Sequence, residues 1–337
     1  MSASSNAPRC SLIVTTIQAP NQVLTELSEG AERHAMDFVV IGDARSPTDF
    51  HLPGCDYYCL DRQHASFGAF SQALPIGHYA RKNLGYLAAL QRGSDWLVET
   101  DDDNYPLDDF FEPPAPILTT RQVSSASNWI NAYTHFSPDH PIWPRGFPLD
   151  ALSDSPAVET GSRETPPAIV QGLADENPDV DAVFRLTRPL PVYFDPDGLP
   201  LSLSAGQWCP FNSQNTWIHR DFAALAYLPS HCSFRMTDIW RSFVAQRCLW
   251  AAQRELIFIA PTVRQERNAH DLMKDFADEV PGYLHNRAIA DTLEACTLRG
   301  NPADDLRDCY AALVDKHHLP GEELLLVDAW LAALESA

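Results

Sequence analysis

Positive charge is scarce in this sequence, and the shortage excludes two classes of partner. The 337 residues contain 24 lysines and arginines against 45 aspartates and glutamates, which gives a formal net charge of −21. Binding to nucleic acid or to an anionic membrane surface requires clustered basic side chains that neutralise phosphates. We therefore expect no nucleic-acid partner, and any phosphate-bearing ligand must be held by a local basic patch or by a metal ion.

Long hydrophobic runs and paired cysteines are also missing. No apolar segment approaches the roughly 20 residues that a membrane-spanning helix needs, and the amino terminus (MSASSNAPRC) has no apolar signal core. The cysteines are scattered without a C-x-x-C pair, so neither a zinc module nor a dithiol motif is indicated. We predict reduced thiols, no membrane span and a cytoplasmic location.

The first part of the chain alternates apolar β-branched runs with a helical segment. Residues 11–17 and 37–43 are typical of buried parallel strands, and residues 21–34 between them show helical spacing of apolar side chains. This order predicts a βαβ unit, in which ligands gather at the carboxyl ends of the strands. Strand propensity or a turn role would also explain the residues at those ends, which are Thr15, Thr16 and Asp43.

The most informative stretch is an apolar run that ends in three consecutive aspartates. Trp96 and its two apolar neighbours predict a buried strand, and Asp101, Asp102 and Asp103 follow it at the rim of the sheet. Alternation along a strand would direct Asp101 and Asp103 to one side and Asp102 to the other. Two carboxylates on one side suit Mg²⁺ or Mn²⁺, whereas the alternative is a solvated acidic turn.

A basic helix precedes this acidic stretch. Residues 78–93 have helical periodicity, and Arg81 and Lys82 lie near the helix start, where the macrodipole disfavours cations. Gly85 lies inside the same helix and leaves room for another group to approach closely. Together these three residues suggest a binding site for a diphosphate. The alternative is a solvent-exposed basic face of the helix.

The rest of the chain is less regular until its end. Residues 112–167 are rich in proline and aromatics and predict long loops over the ligand edge, while residues 179–194 predict two short strands. The polar run 207–216 with aromatic flanks could bind a sugar. Residues 255–263 predict a late strand, and residues 275–337 predict helices throughout.

Several co-linear motifs are more specific than any single pattern. A βαβ half, a basic helix and a strand ending in D-x-D resemble the GT-A glycosyltransferase fold. The closer resemblance is to the STELLO glycosyltransferases, and a more distant one, through the aspartates and the D-x-W turn, is to reversibly glycosylated polypeptides or UDP-arabinopyranose mutases. The STELLO-like segments are VTTIQ, VVIGDARSP, HYARKNLGYL, ETDDDN, PFNSQNT, SFRMTDIWRSF and RNAHDLMKDF.

The resemblance implies an α/β fold of the GT-A type, related to the Rossmann fold. The expected architecture is a mixed, mainly parallel sheet flanked by helices with a helical appendage at the C-terminus. The expected division is a disordered leader over 1–10, a nucleotide-sugar-binding catalytic domain over 11–270 that contains the 112–167 insertion, and a helical region over 271–337.

The resemblance also implies roles for individual residues. The base and ribose pocket would be lined by Thr15, Thr16 and Asp43. The diphosphate would be neutralised by Arg81 with Lys82. Mn²⁺ or Mg²⁺ would be held by Asp101 and Asp103. Asp102 would lie near the ribose or the sugar, and Asn212 and Asn215 would contact the donor sugar or the acceptor. Asp238 would be the general base or would orient the acceptor, although its position also fits a helix N-cap. His270 would be an additional metal or phosphate ligand.

Three functions remain compatible with these residues. The first is a metal-dependent glycosyltransferase that uses a nucleotide sugar, expected to be a UDP-sugar, and an acceptor that is a glycan, a lipid or a protein. The second is a nucleotide-sugar mutase or a self-glycosylating protein. The third is a non-catalytic scaffold that binds a nucleotide sugar.

Overall fold

The computed structural model describes residues 7–137, 141–154, 157–268 and 270–337. Its strands are β1 (Cys10–Thr15), β2 (Asp37–Ile41), β3 (Cys55–Tyr58), β4 (Trp96–Thr100), β5 (Asn104–Pro106), β6 (Leu118–Ser124), β7 (Val158–Thr165), β8 (Ile169–Asp175), β9 (Leu201–Leu203), β10 (Asn215–His219) and β11 (Leu256–Gln265). Its α-helices are α1 (Gln22–Arg33), α2 (Leu60–Ala73), α3 (Lys82–Gln91), α4 (Ala182–Thr187), α5 (Thr237–Ala251), α6 (Leu272–Glu294), α7 (Pro302–Asp315) and α8 (Glu322–Leu334). Short 3-10 helices span Tyr79–Arg81, Asp108–Phe111, Ala132–His135, Leu149–Ser153, Arg220–Ala226 and Phe234–Met236.

A single mixed sheet organises the described residues. Its strand order is β3-β2-β1-β4-β10-β8-β11-β9-β6-β7, and β5 pairs with β11. The strands from β3 to β4 are parallel, and β10 is antiparallel to both of its neighbours. The predicted mixed α/β architecture is therefore confirmed, and further parallel pairs join β8 to β11 and β6 to β9.

Both faces of this sheet are covered, which explains the continuous apolar runs of its strands. Leu12 and Val14 of β1 belong to a core on one face that includes Leu24 of α1. Ile13 points to the opposite face and belongs to the larger core with Leu84 of α3. Because successive side chains of a strand alternate, an unbroken apolar run serves two cores at once.

Gly85 fits the sheet rather than a ligand. A Cβ atom on Gly85 would lie 2.4 Å from Cγ2 of Ile13 and 3.2 Å from Cγ1 of Ile41. The glycine therefore lets α3 approach β1 and β2 closely. The expectation that Gly85 admits a ligand group is wrong, because the group that it admits belongs to the strand beneath it.

The structure changes two other sequence-based expectations. The stretch 112–167 contains the strands β6 and β7 at the far edge of the sheet, although Arg145 between these strands lines the cleft as predicted for a loop. The stretch 179–194 contains a helix, α4, where the sequence predicts two short strands. Asp181 caps α4 by accepting a hydrogen bond from the backbone of Phe184 at 2.7 Å, and Glu279 of α6 accepts one from the backbone of Ala182 at 2.7 Å. The second partner comes from a distant helix, so the local sequence could not indicate it.

The two ends of the chain differ. Residues 1–6 of the expected leader lie outside the described residues, and Cys10 already belongs to β1. Residues 271–337 form α6, α7 and α8, whose buried side chains Tyr310 and Trp330 join the larger core. No helix in the described ranges is long and apolar enough to cross a membrane.

Candidate functional site

A cleft of about 750 Å³ lies along the carboxyl ends of β1, β2 and β4. The strand order brings these three ends together because β1 lies between β2 and β4. Ten of the residues singled out in the sequence line this cleft: Thr15, Thr16, Asp43, Arg81, Asp101, Asp102, Asp103, Asn212, Asp238 and His270.

The acidic triplet lies in a turn after β4. Within this turn, the side chains of Asp102 and Asp103 are hydrogen-bonded to residues from different segments that line the cleft. Asp102 accepts a hydrogen bond from Oγ1 of Thr16 at 2.5 Å, on the β1 side. Asp103 accepts from Nε2 of Gln265 at 3.0 Å, on the β11 side. Asn21 donates to the backbone oxygen of Asp102 at 2.8 Å while it caps α1, so the turn is fixed at both ends.

Desolvation and mutual repulsion dominate the electrostatics of this turn. Burial raises the pKa of Asp103 to about 6, and the neighbouring charge of Asp101 contributes to the increase. Burial also raises the pKa of Asp102, partly opposed by its hydrogen bond from Thr16. A cation placed between these carboxylates would relieve both effects.

Lys82 supports the turn from within the protein. Its side chain is fully buried, and Nζ donates to Oη of Tyr79 at 2.6 Å, to the backbone oxygen of Thr100 at 2.8 Å and to Oδ1 of Asp101 at 3.2 Å. A fourth bond reaches the backbone oxygen of Ser213 at 3.2 Å. The ammonium group of Lys82 therefore offsets negative charge of the acidic turn from inside the protein, and Lys82 does not line the cleft.

The guanidinium group of Arg81 is also hydrogen-bonded to other groups of the protein. Its Nε and one terminal nitrogen donate to Oε1 of Gln63 at 2.8 and 2.5 Å. The other contacts are the backbone oxygen and Oγ of Ser71 and the backbone oxygen of Leu74. Its three side-chain nitrogens all have protein acceptors, so its contribution to a diphosphate site would be an electrostatic one.

Asp43 organises the loop that precedes α3. Its carboxylate accepts hydrogen bonds from the backbone of Gly77 at 2.9 and 2.8 Å and from the backbone of His78 at 3.1 Å. The carboxyl end of β2 is thereby tied to the segment that begins the basic helix. Thr15 and Thr16 line the same end of the cleft as Asp43.

Asp238 forms a buried ion pair in the same cleft. Arg145 donates to both of its carboxylate oxygens at 3.0 and 2.9 Å, and Oγ of Ser213 lies 3.2 Å from Oδ2. Burial alone would raise the pKa of Asp238, but the charge and hydrogen bonds of Arg145 lower it to about 2. A carboxylate with so low a pKa is a weak proton acceptor.

Asp238 is not an N-cap, because α5 begins at Thr237 and Met236 occupies the cap position. The partner of Asp238 is Arg145, which no sequence motif indicates and which also pairs with Asp179 at 2.8 Å. Arg145 lies in the proline-rich stretch and carries no local signal, so only the fold reveals the pair.

The remaining predicted ligands are distributed differently. Asn215 is fully buried inside the sheet, where Nδ2 donates to the backbone oxygen of Leu173 at 2.9 Å and to Oγ1 of Thr262 at 2.8 Å. Asn215 therefore lies outside the cleft lining that Asn212 joins. His270 also lines the cleft, where Nδ1 lies 3.4 Å from Oδ1 of Asp275.

The donor set at the acidic turn fits a hard divalent cation that keeps part of its water shell. Across the described ranges, no group of three or more His, Cys, Asp or Glu side chains is arranged to hold a metal ion. Mg²⁺ commonly uses one or two carboxylates together with waters and substrate phosphates, so such a cluster is not required. Asp101 and Asp103 both face the cleft and could supply these two ligands.

Comparison with known proteins confirms the resemblance to the STELLO glycosyltransferases. Residues 235–336 match the model of that family. The chain is 28% identical over 276 residues to "Probable glycosyltransferase STELLO2" of Arabidopsis thaliana, and 27% identical over 276 residues to "Probable glycosyltransferase STELLO1" of the same plant. Each alignment covers 75% of this chain and 35% of the relative, so the chain spans about a third of the length of these relatives.

A mycobacterial protein of known crystal structure is also similar. The two chains share 11% sequence identity with a TM-score of 0.44, over 83% of this chain and 74% of the other.

Proposed function

We propose that this chain, which is related to the STELLO glycosyltransferases, transfers a sugar from a nucleotide sugar to an acceptor with the help of a divalent metal ion. The observation that carries the proposal is the shared cleft, into which Asp101, Asp102 and Asp103 project beside the ends of two parallel strands. The donor proposed is a UDP-sugar, and the acceptor is a glycan, a lipid or a protein.

The donor would lie with its nucleoside at the ends of β1 and β2. Thr15, Thr16 and Asp43 line that part of the cleft, and ligands of open α/β sheets bind at such strand ends. The diphosphate would then extend to the acidic turn. Asp101 and Asp103 would hold Mn²⁺ or Mg²⁺, which supplies positive charge against the developing negative charge of the leaving diphosphate.

The protein's own residues would prepare the site for transfer. Lys82 holds Asp101 in place and offsets part of its charge from below, at 3.2 Å. Arg145 keeps Asp238 ionised, so we propose that Asp238 orients the acceptor by accepting a hydrogen bond and does not remove its proton.

Calorimetric titration with UDP tests this proposal. We expect Mn²⁺-dependent binding to the unaltered chain and a loss of at least about tenfold in affinity for Asp103→Ala, because one of two carboxylate ligands is removed. The matched control is Asp109→Ala, an exposed aspartate outside the cleft. Metal-independent binding of UDP, or equal affinity in the unaltered chain and Asp103→Ala, would contradict the proposal.

A second measurement separates transfer from the alternatives. After incubation with UDP-sugars and Mn²⁺, we expect the intact mass of the protein to stay constant while UDP is released and an added acceptor gains mass. A gain in the mass of the protein itself would indicate self-glycosylation. Binding without hydrolysis or transfer would indicate a scaffold.

A further inference from the structure

Three arginines that lie close enough for their charges to interact share the cleft lining. Arg185 of α4, Arg235 and Arg267 all line the cleft. Their mutual repulsion is evident at Arg185, whose pKa burial lowers to about 9, with Arg267 and then Arg235 adding to the effect and Asp179 opposing it. Such crowding of like charges costs folding free energy unless counter-charges are present.

Two of these arginines are hydrogen-bonded to carboxylates, whereas the third has no such bond within the described ranges. Arg235 donates to Oε1 of Glu279 at 3.0 and 2.8 Å, and Arg267 donates to Oδ2 of Asp275 at 2.7 Å. Among the described residues, Arg185 donates to two neutral acceptors, Oδ1 of Asn177 at 3.4 Å and the backbone oxygen of Pro178 at 2.9 Å, and its buried Nε has no hydrogen-bond partner. The carboxylates of Asp179 and Asp275 act on Arg185 through their charge without a hydrogen bond to it.

The position of Arg185 is fixed by the fold. Asp181 caps α4 and also accepts a hydrogen bond from Nε1 of Trp143 at 2.8 Å, so the helix that carries Arg185 is anchored to the core. Asn177, which Arg185 contacts, donates to the backbone oxygen of Gln265 at 3.1 Å, and the side chain of Gln265 binds Asp103. One chain of contacts therefore connects Arg185 to the acidic turn along the cleft wall.

We propose that Arg185, flanked by Arg235 and Arg267, is an anion-binding subsite for a phosphate or carboxylate group of a substrate held in the cleft. An anion there would give Arg185 a directly hydrogen-bonded counter-charge and would accept the hydrogen of its buried Nε, which has no partner among the described residues. Arginine suits this task because its planar guanidinium can donate two parallel hydrogen bonds to either group. The identification of the anion as part of a substrate rests on the proposed function, whereas anion binding itself does not.

Calorimetric titration of the full chain with inorganic phosphate tests the subsite. We expect Arg185→Gln to lose affinity for phosphate by about tenfold or more, because charge-assisted hydrogen bonds are removed. Arg185→Lys keeps the charge without the planar fork and should retain more affinity than Arg185→Gln. The matched control is Arg188→Gln, an exposed arginine that follows the same helix. The subsite is disproved if the unaltered chain does not bind phosphate, or if Arg185→Gln and Arg188→Gln have equal effects.

Titration of the same variants with UDP and Mn²⁺ identifies the source of the anion. A parallel loss of UDP affinity in Arg185→Gln assigns the subsite to the donor diphosphate, and unchanged UDP affinity with lost phosphate affinity assigns it to an anionic acceptor. Failure of the unaltered chain to bind UDP would refute the proposed function and leave the phosphate result standing.

Thermal unfolding without ligand distinguishes binding from a structural role. Arg185→Gln removes a buried cation that has no hydrogen-bonded carboxylate among the described residues. The Tm of this variant should therefore be equal to or higher than that of the unaltered chain. A Tm clearly below that of Arg188→Gln would make Arg185 a structural residue and overturn the subsite.

Discussion

Neighbouring residues of one sequence motif have separate tasks in this protein. Arg81 and Lys82 are adjacent and both buried, yet Lys82 donates to Asp101 of the acidic turn, whereas Arg81 donates to Gln63 and Ser71 of another part of the fold. A point charge on a flexible stem can reach several oxygens around it, and a planar guanidinium spreads its donors in a fork. The type of each cation therefore matches the acceptors around it.

The ion pair of Asp238 and Arg145 should be important for stability. Replacing Asp238 by Asn leaves Arg145 buried with one of its two carboxylate partners missing, and we expect a loss of about 3 kcal/mol in the free energy of unfolding. Urea unfolding measures this loss. The matched control is Asp150→Asn, which breaks the exposed pair with Arg287 and should cost little. Equal costs for the two variants would contradict the expectation.

The same carboxylate sets a pH dependence with a definite sign. Its pKa in the folded protein is about 2, below the ordinary 3.8, so the unfolded chain binds more protons between these values. The stability contributed by Asp238 should be fully present above pH 4 and should decrease as the pH falls towards 2. Comparison of the unaltered chain with Asp238→Asn between pH 6 and pH 3 measures it, and a difference that grows on acidification would exclude this account.

At the level of the elements, close packing of α3 on the sheet determines where the basic helix lies. The absence of a side chain at Gly85 allows this approach, and the approach places Lys82 beneath the acidic turn. The helix could not move outward without withdrawing Lys82 from Asp101. Packing in the core and charge in the site are therefore coupled through one element.

We expect Gly85→Ala to destabilise the protein by about 1–3 kcal/mol, because the added methyl group would overlap Ile13 in a packed core. Gly321→Ala is the control, since among the described residues, apart from its own chain neighbours, none has an atom within 4 Å of a Cβ built at Gly321. Urea unfolding of both variants provides the comparison. If Gly85→Ala proves as stable as Gly321→Ala, the packing explanation of this glycine is wrong.

Across the whole molecule, the C-terminal helices and the sheet share one core. Trp330 of α8 contacts Phe70 and Tyr227 in the same buried cluster as Ile13 and Leu97. Glu323 of the same helix is fully buried and accepts a hydrogen bond from the backbone of His231 at 2.8 Å. Residues 271–337 are therefore not packed as a separate unit.

We expect the chain to unfold in one cooperative transition, because a continuous core couples its parts. Far-ultraviolet circular dichroism and tryptophan fluorescence should report the same urea midpoint. Trp330→Ala should reduce the free energy of unfolding by about 3–5 kcal/mol, and the urea midpoint should therefore fall by the same amount in both signals. Two separate midpoints in the unaltered chain, or a change confined to one signal, would show that the helical region folds independently.

Sequence alone determined the features that depend on local pattern. Apolar β-branched runs indicated the parallel strands β1, β2 and β4, and the acidic triplet was located at the end of β4, because a buried strand and its terminus leave a signature in adjacent residues. The co-linear motifs also indicated the STELLO resemblance, which comparison confirms.

The tertiary structure is needed to tell which of these residues share the cleft. It also shows which of them are ionised and which are buried. Asp238 is held ionised by Arg145, which lies 93 residues away in the chain, and Asn215 is buried in the sheet while Asn212 reaches the cleft. Within the described ranges, Arg185 differs from Arg235 and Arg267 because no carboxylate is hydrogen-bonded to it. Partners, burial and missing partners arise from contacts between distant segments, and no local pattern encodes them.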